Sequence, residues 1–325
     1  MNIMIRFTRI LICLGLVLCG SYAVAEIQPP NTQSQLKLYV FDCGRLNYDD
    51  DTLKFFGISA SETTVRDLFV PCYVIEHQKG RLLWEGGLPL SKSKAGTYQS
   101  KEEGLPSSKS KAGAYQSKEG GLPSSKSKAG TYGWQEKKGW RMRLDKTFQE
   151  QLVQIGMDMD DFDYMAFSHM HFDHVGIAND VKGAKLLIQK DEYDAAFAEK
   201  ITVPAFDPKL YGNLRHADKV LLNGEYDVFG DGRVRLIPAP GHTPGHQVLF
   251  LDLKETGPIV LSGDICHFKI SWKKKLVPTF NTDKEKSLKS MERIEKFLKD
   301  TGAELWIEHE LARYEQLKKV PLYHK

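Results

Sequence analysis

Ser168-His169-Met170-His171-Phe172-Asp173-His174 places three imidazoles and one carboxylate within six consecutive residues. The run 164–167 directly before it is short and apolar, which is typical of a buried strand. The heptapeptide is therefore predicted to be the loop that leaves this strand, where side chains can converge without helical spacing. A polar loop that merely contains several histidines is the plain alternative. Four residues of metal-ligand type in this order favour a metal site.

Two cations fit this loop better than one. His169 and His171, two residues apart, can bind the first cation, and Asp173 and His174 point at a second about 3.5–4 Å away, as in two-metal hydrolytic sites. A donor set of imidazole nitrogens and carboxylate oxygens predicts zinc as the preferred metal, and iron, cobalt or manganese are compatible with the same donors.

Further candidate ligands follow three later predicted strands. In 239–246 (APGHTPGH), Pro and Gly on both sides predict a tight turn that presents His242 as the third ligand of the first cation, with His246 in a supporting or structural role. Asp264 follows Gly263, which allows the backbone to approach the site closely, and the two carboxylate oxygens of Asp264 can bridge both cations. His309 follows the last predicted strand and completes the second cation's set with Asp173 and His174.

The chain of 325 residues divides into a leader and one predicted domain. Arg6 and Arg9 precede an apolar stretch, and Ala23-Val24-Ala25 supplies the small residues of a cleavage site, so residues 1–25 are predicted to be a signal peptide and 26–325 a single metallo-hydrolase domain. An uncleaved anchor is the weaker alternative because the apolar stretch is short. The predicted location is periplasmic or secreted, with no stable membrane insertion after cleavage.

Charge and cysteine content exclude some classes of partner and framework. Cleavage removes two arginines and lowers the formal net charge from +3 to about +1, which gives no electrostatic argument for nucleic acid. Three cysteines remain after cleavage, and an odd number argues against a disulfide framework. Cys43 and Cys72 lie near the ends of two predicted neighbouring strands, so their pairing in an oxidising compartment is a hypothesis.

Residues 88–137 are predicted to be an inserted low-complexity loop. From Gly87 the sequence repeats with a period of 17, as GLPLSKSKAGTYQSKEE, GLPSSKSKAGAYQSKEG and GLPSSKSKAGTYGWQEK. Each unit carries about one Leu and one Tyr among Ser, Lys and Gly, too little apolar surface to fold. The insertion either has no function and is tolerated because a longer loop costs little in closure entropy, or it is a mildly basic tether for an anionic surface.

The remaining pattern alternates strands with helices. An amphipathic helix is predicted around 148–155 with Gly156 as its C-terminal cap, a short helix at 191–200, and a longer helix that starts at a capping box, Thr282–Glu285. Residues 201–217 are irregular and either contact substrate or pack in the core. Strands are predicted at 36–42, 68–77, 81–84, 164–167, 184–189, 233–238, 247–253, 258–261 and 304–307.

The predicted ligands taken together resemble the dinuclear site of the metallo-β-lactamase superfamily; they are His169, His171, Asp173, His174, His242, Asp264 and His309. Within it the chain is most similar to the N-acyl homoserine lactonase group, through 39–46 (YVFDCGRL), 82–89 (LLWEGGLP), 168–176 (SHMHFDHVG), 239–246 (APGHTPGH), 261–268 (LSGDICHF) and 305–323 (LWIEHELARYEQLKKVPLY). The resemblance implies an α/β fold, an αββα sandwich with the metals at one edge of two packed sheets. It covers nearly the whole mature chain.

The resemblance implies a quorum-quenching lactonase. A hydroxide that bridges two divalent metals, zinc first, would attack the carbonyl of a lactone or ester substrate, and Asp173 would orient that nucleophile. Such lactonases commonly have a tyrosine shortly after the bridging aspartate, whereas this chain has His267, which could donate the corresponding hydrogen bond. The acid at the end of the hairpin is usually Asp, and here it is Glu85.

Alternative functions remain open at this level. A thioesterase similar to glyoxalase II or a metallo-β-lactamase would use the same metal site. A surface-binding protein that acts through its Lys/Ser repeats is the alternative outside enzymes. Acyl-chain preference is not encoded in any pattern above, and the sequence is compatible with a homodimer.

Overall fold

The structure is a computed structural model that describes residues 35–89 and 132–325. The predicted signal peptide, 1–25, and residues 90–131 of the predicted repeat insertion lie outside the described residues. The described residues belong to one compact unit.

The first sheet combines an antiparallel half with a parallel half. Its spatial order is β4-β5-β1-β2-β3-β6-β7-β8, antiparallel as far as β3 and parallel from β3 onward. The parallel half places the carboxyl ends of β3 and β6 at the same edge of the sheet. In chain order the strands are β1 (Lys37–Tyr48), β2 (Asp67–His77), β3 (Gly80–Trp84), β4 (Tyr132–Lys137), β5 (Trp140–Leu144), β6 (Tyr164–Ala166), β7 (Lys185–Gln189) and β8 (Lys219–Leu222).

The second sheet is built from the C-terminal part of the chain. Its order is β13-β12-β11-β10-β9, and its neighbours are antiparallel except for the parallel pair β12 and β13. The strands are β9 (Tyr226–Asp227), β10 (Val234–Pro238), β11 (Gln247–Leu253), β12 (Gly257–Leu261) and β13 (Glu304–Trp306).

Short helices surround the sheets, and one is long. The longest helix begins after Asp283, whose side chain accepts a hydrogen bond from the Lys286 backbone N–H, and ends at Gly302 in the left-handed conformation. The α-helices are α1 (Asp50–Leu53), α2 (Phe148–Leu152), α3 (Lys190–Ala196), α4 (Pro208–Tyr211), α5 (Lys269–Lys274), α6 (Lys284–Thr301) and α7 (Leu311–Gln316). Within the described ranges, none of the helices is long and apolar enough to span a membrane.

Alternating side chains divide the core into layers. On β1, Leu38 and Val40 pack between the two sheets, together with Leu249 and Leu251 of β11. Tyr39 and Phe41 point to the other face, where helix α2 covers the first sheet, and α6 covers the outer face of the second sheet. This alternation follows from the two-residue period of a strand. The layers run helix, sheet, sheet, helix, which confirms the predicted αββα sandwich.

The element boundaries differ from the predictions in five places. Tyr132–Lys137, the end of the predicted loop 88–137, is strand β4 and pairs with β5, so the predicted loop is too long at its C-terminal end. Leu88, at its start, is buried. β1 continues to Tyr48, and the helix predicted at 191–200 ends at Ala196. The cap of α6 is Asp283 rather than Thr282.

Cys43 and Cys72 form a disulfide between β1 and β2, with their Cα atoms 5.7 Å apart. The hypothesis that these two cysteines pair is thus confirmed. Cys266 is a free, buried thiol.

Candidate metal centre

The heptapeptide 168–174 leaves the carboxyl end of β6 and is almost entirely buried. His169 is inaccessible, and a backbone hydrogen bond of 3.0 Å from His174 N to His171 O folds the loop back on itself. β6 lies between β3 and β7, so this loop leaves the end of an interior strand and not of an edge strand.

The first predicted ligand set is assembled in the structure. His242 Nε2 lies 3.1 Å from His169 Nε2, 3.1 Å from His171 Nδ1 and 3.2 Å from Asp264 Oδ2. One ligand atom from each of these four residues lies within 4.8 Å of the others. The turn after β10 therefore brings His242 to the loop after β6, as the sequence predicts.

The second predicted set lies on the other side of Asp264. Asp264 Oδ1 is 2.9 Å from His309 Nε2 and 3.4 Å from His174 Nε2. Asp173 Oδ2 is 3.7 Å from His174 Nε2 and 3.8 Å from His309 Nε2. Each oxygen of Asp264 thus faces a different set.

The donor atoms fit cations. His174 Nε2 and Asp264 Oδ1 are buried and have no hydrogen-bond partner, although buried polar atoms are nearly always bonded. Imidazole nitrogens and carboxylate oxygens are among the donors that zinc prefers. Burying three or four such polar groups together in each set is costly unless a positive charge lies between them. The cluster is suited to a metal site.

His267 lies against both sets. Its Nε2 is 2.9 Å from Asp264 Oδ2, and its ring stacks on that of His309 with centroids 5.5 Å apart. It could therefore also contribute to a group with Asp264 and His309. The role predicted for His267, a hydrogen bond to the substrate, stays a prediction.

Neighbouring polar groups fix the orientation of the imidazoles. His169 Nδ1 is 2.8 Å from Ser168 Oγ, His242 Nδ1 is 2.9 Å from Asn281 Oδ1, and His309 Nδ1 is 2.7 Å from the carbonyl oxygen of Phe69. His246 donates from Nδ1 to the Ala239 carbonyl and accepts at Nε2 from the Asp264 backbone N–H. His246 thus supports the bridging aspartate, which agrees with the structural role expected for it.

The two sets differ in the pKa of their histidines. Burial, together with the neighbouring imidazoles, holds the pKa values of His169 and His171 well below the usual value. Burial also opposes the charged form of His174 and His309, but nearby carboxylates outweigh it. Glu85 and Asp264 raise the pKa of His174 well above its usual value, and Asp264 raises that of His309 to about 9.

Two supporting carboxylates were not predicted. Glu192, in the first turn of α3, accepts hydrogen bonds of 2.9 Å from Met170 N and Gly245 N. It thus joins residues 168–174, the metal loop, to the turn that carries His242. Burial raises its pKa to about 7. Glu308 precedes His309 and is also buried. Acidic residues are common in helix first turns and after strands. The only sequence signal for a supporting role was therefore that Glu192 lies near a strand end and Glu308 lies next to a predicted ligand.

Comparison with known proteins agrees with this geometry. A model of the metallo-beta-lactamase superfamily matches residues 133–301, and the chain belongs to that superfamily. This membership, with the relatives that follow, confirms the prediction of an enzyme, a metal-dependent hydrolase.

The relatives found include N-acyl homoserine lactonases. The chain is 29% identical over 190 residues to AttM of Azorhizobium caulinodans, covering 56% of this chain and 71% of that protein. It is 28% identical over 173 residues to AiiA of Bacillus thuringiensis subsp. kurstaki, covering 53% and 65%. The crystal structure of a quorum-quenching N-acyl homoserine lactone hydrolase superposes with a TM-score of 0.64 at 21% identity, covering 89% of this chain and 99% of that one.

A pH dependence follows from the raised pKa of His309 in the metal-free protein. The folded state holds this proton to about pH 9 and the unfolded state only to about 6.5, so the stabilisation is complete below pH 6.5 and is lost as the pH rises towards 9. We expect the free energy of unfolding of the metal-free protein to fall by about 2–3 kcal/mol across this window.

Urea unfolding at pH 6.5 and pH 9 measures this change. Zinc-loaded protein serves as the comparison, since ligation displaces the proton and should remove the slope. Equal stability of the metal-free protein at both pH values would contradict the charge state assigned to His309.

Proposed function

We propose that the protein is a lactonase that opens the ring of N-acyl homoserine lactones or a related lactone, and that the seven predicted ligands bind two divalent cations, zinc first. The observation that carries this proposal is the position of Asp264. Its two oxygens face two separate groups of donors, which is the arrangement expected for a dinuclear site. The lactonases among the relatives support the choice of substrate.

The side chains have distinct parts in the proposed reaction. When bound, the two cations lower the pKa of a water molecule and polarise the lactone carbonyl. Asp173 lies beside His174 and His309 and is placed to orient that water. His267 donates a hydrogen bond from Nε2, to Asp264 in the free protein and to the substrate carbonyl oxygen when substrate is present.

Aromatic side chains beside His267 suit an acyl chain. Phe56 and Phe280 contact the His267 ring with centroids 4.8 and 5.9 Å away, and Phe268 contacts Phe56 at 5.4 Å. Phe206 packs on His171, a residue of the first ligand set, with centroids 5.6 Å apart. Residues 201–217 thus reach the site through Phe206, while Tyr211 of the same stretch is buried in the core. An apolar wall next to the reacting groups favours substrates with an acyl tail.

A substrate panel tests the proposal. Zinc-loaded protein is assayed with N-acyl homoserine lactones of several chain lengths, a β-lactam and S-lactoylglutathione. We expect the highest kcat/KM for one of the lactones. Preference for the thioester or the β-lactam would replace the proposed lactonase by the corresponding alternative hydrolase.

Deletion of residues 88–104 separates the enzyme from the surface-binding alternative. The deletion joins Gly87 to Leu105-Pro106, which restore the side chains of Leu88 and Pro89. We expect kcat/KM to change by less than about twofold, because surface loops tolerate changes in length at little energetic cost. A salt-dependent loss of binding to anionic surfaces would instead support the alternative role of the repeats.

We also propose export to the periplasm or the medium, with cleavage after Ala25. N-terminal sequencing of the mature protein should then begin at Glu26. A homodimer stays a prediction.

A further inference from the structure

Two buried carboxylates lie behind the second ligand set. Glu85 follows β3 of the first sheet, and Glu308 follows β13 of the second sheet and directly precedes His309. Their side chains are 0% and 1% exposed. Glu85 also has a left-handed φ of 66°, which is costly for a residue other than glycine.

Each carboxylate uses one oxygen to hold the surrounding backbone or side chains. Glu85 Oε1 accepts a hydrogen bond of 3.0 Å from the Ser168 backbone N–H, at the start of the metal loop. Glu308 Oε1 accepts one of 2.8 Å from Trp84 Nε1. The two acids thus join the end of the first hairpin to both ligand-bearing segments.

The other oxygen of each acid has no hydrogen-bond partner. Glu85 Oε2 and Glu308 Oε2 are both buried, and of the two Glu85 Oε2 forms an ion pair with His174. The two acids converge on His174: its Nδ1 is 3.1 Å from Glu85 Oε2, and one ligand atom of each of the three residues lies within 4.8 Å of the others. Unpaired carboxylate oxygens in the interior are expensive unless positive charge is near.

His174 differs from three other predicted ligand imidazoles in the charge of the groups behind its outer nitrogen, the ring nitrogen that faces away from the ligand set. His169, His242 and His309 meet a hydroxyl, an amide and a backbone carbonyl. These partners are neutral, and His174 Nδ1 also lies 3.3 Å from a neutral one, Ser168 Oγ. Only His174, among the ligand imidazoles in the described ranges, has carboxylates behind it.

We propose that Glu308, acting with Glu85 through His174, is a positioning residue that strengthens cation binding at the second ligand set, Asp173, His174 and His309. A carboxylate behind a ligand imidazole fixes the ring and makes it a better donor, and loss of such a partner typically costs 10–100-fold in metal affinity. The inference rests on the metal sites of the proposed function and not on its substrate.

The test compares Glu308→Gln with Glu308→Asp. The glutamine keeps the length and the oxygen that accepts from Trp84, but it cannot ionise. The aspartate can ionise but has a shorter reach. Zinc is titrated into metal-free protein against a chromophoric chelator, and each equivalent is fitted separately.

For Glu308→Gln we expect the affinity of one zinc equivalent to fall about 10–100-fold, with the other unchanged within about threefold. Glu308→Asp should retain more of that affinity than Glu308→Gln. The double variant Glu85→Gln/Glu308→Gln should lose less than the product of the two single losses, because both acids act through one imidazole.

Glu304→Gln is the matched control. Glu304 is an exposed carboxylate on β13 that pairs with Arg313, and its substitution should leave both equivalents unchanged. Thermal unfolding of each metal-free variant shows that it folds.

Three results would overturn the inference. These are an unchanged zinc titration for Glu308→Gln, an equal loss at both equivalents, or a loss for Glu308→Asp alone, which would assign Glu308 a structural role through Trp84. Failure of the wild-type protein to bind two zinc ions would instead contradict the proposed function itself.

Discussion

Replacement of Asp264 by alanine is expected to abolish stable zinc binding and to lower kcat/KM by at least about 10³-fold. Asp264 supplies an oxygen to each ligand set, so its loss weakens both sets at once. Bound cations contribute several kcal/mol of transition-state stabilisation, and each 1.36 kcal/mol corresponds to a factor of ten in rate. The measurements are zinc content by elemental analysis and initial rates with the best lactone.

Asp252→Ala provides the control. Asp252 is an exposed aspartate on β11 that belongs to neither ligand set, and its loss should change neither zinc content nor rate. His169→Ala should reproduce the Asp264→Ala result by removing a ligand of the first set. Near-normal turnover in either ligand variant would contradict the assignment of the site.

The second large effect is expected for Gly263→Ala. A Cβ atom at this position would lie 2.4 Å from Ser168 Cβ and 2.7 Å from His246 Nε2, and the backbone has a left-handed φ of 47°. Overpacking typically costs 1–3 kcal/mol and the left-handed conformation 1–2 kcal/mol, so we expect about 2–5 kcal/mol of destabilisation. Zinc binding should weaken as well, because His246 and Ser168 support Asp264 and His169.

Gly302→Ala separates the two contributions. Gly302 has a similar φ of 68° at the end of α6, but a Cβ there meets nothing within 4 Å. Its substitution should cost only about 1 kcal/mol and leave zinc binding unchanged. Urea unfolding of the metal-free proteins provides the comparison. If the two variants were equally destabilised, the close approach of Gly263 to Ser168 would be irrelevant to stability.

The candidate site could be predicted from sequence because its signals are local. His169 to His174 directly follow an apolar strand, and His242 lies in a turn fixed by Pro and Gly. Most of the predicted ligands were therefore recognisable from their own surroundings, and their order along the chain gave the grouping. Asp264 was recognisable only because it follows another predicted strand after His242.

The supporting residues could not be found in this way. Glu308 bonds to Trp84, 224 positions away, through the packing of two sheets that no local pattern records. Glu192 looks like any acid in the first turn of a helix, where acids are common. β4 was missed because its residues belong to the third repeat, whose composition predicts a loop, whereas pairing with β5 decides its structure.

Glu192 has a consequence for protein engineering. Its carboxylate is hydrogen-bonded to the backbone at both Met170 and Gly245, so the two loops behave as a single mechanical unit with α3. A loop graft from a relative, intended to alter substrate range, would therefore have to present a backbone N–H group at the same place as Met170 or Gly245. A graft whose backbone does not reach Glu192 would leave a buried carboxylate oxygen without its donor.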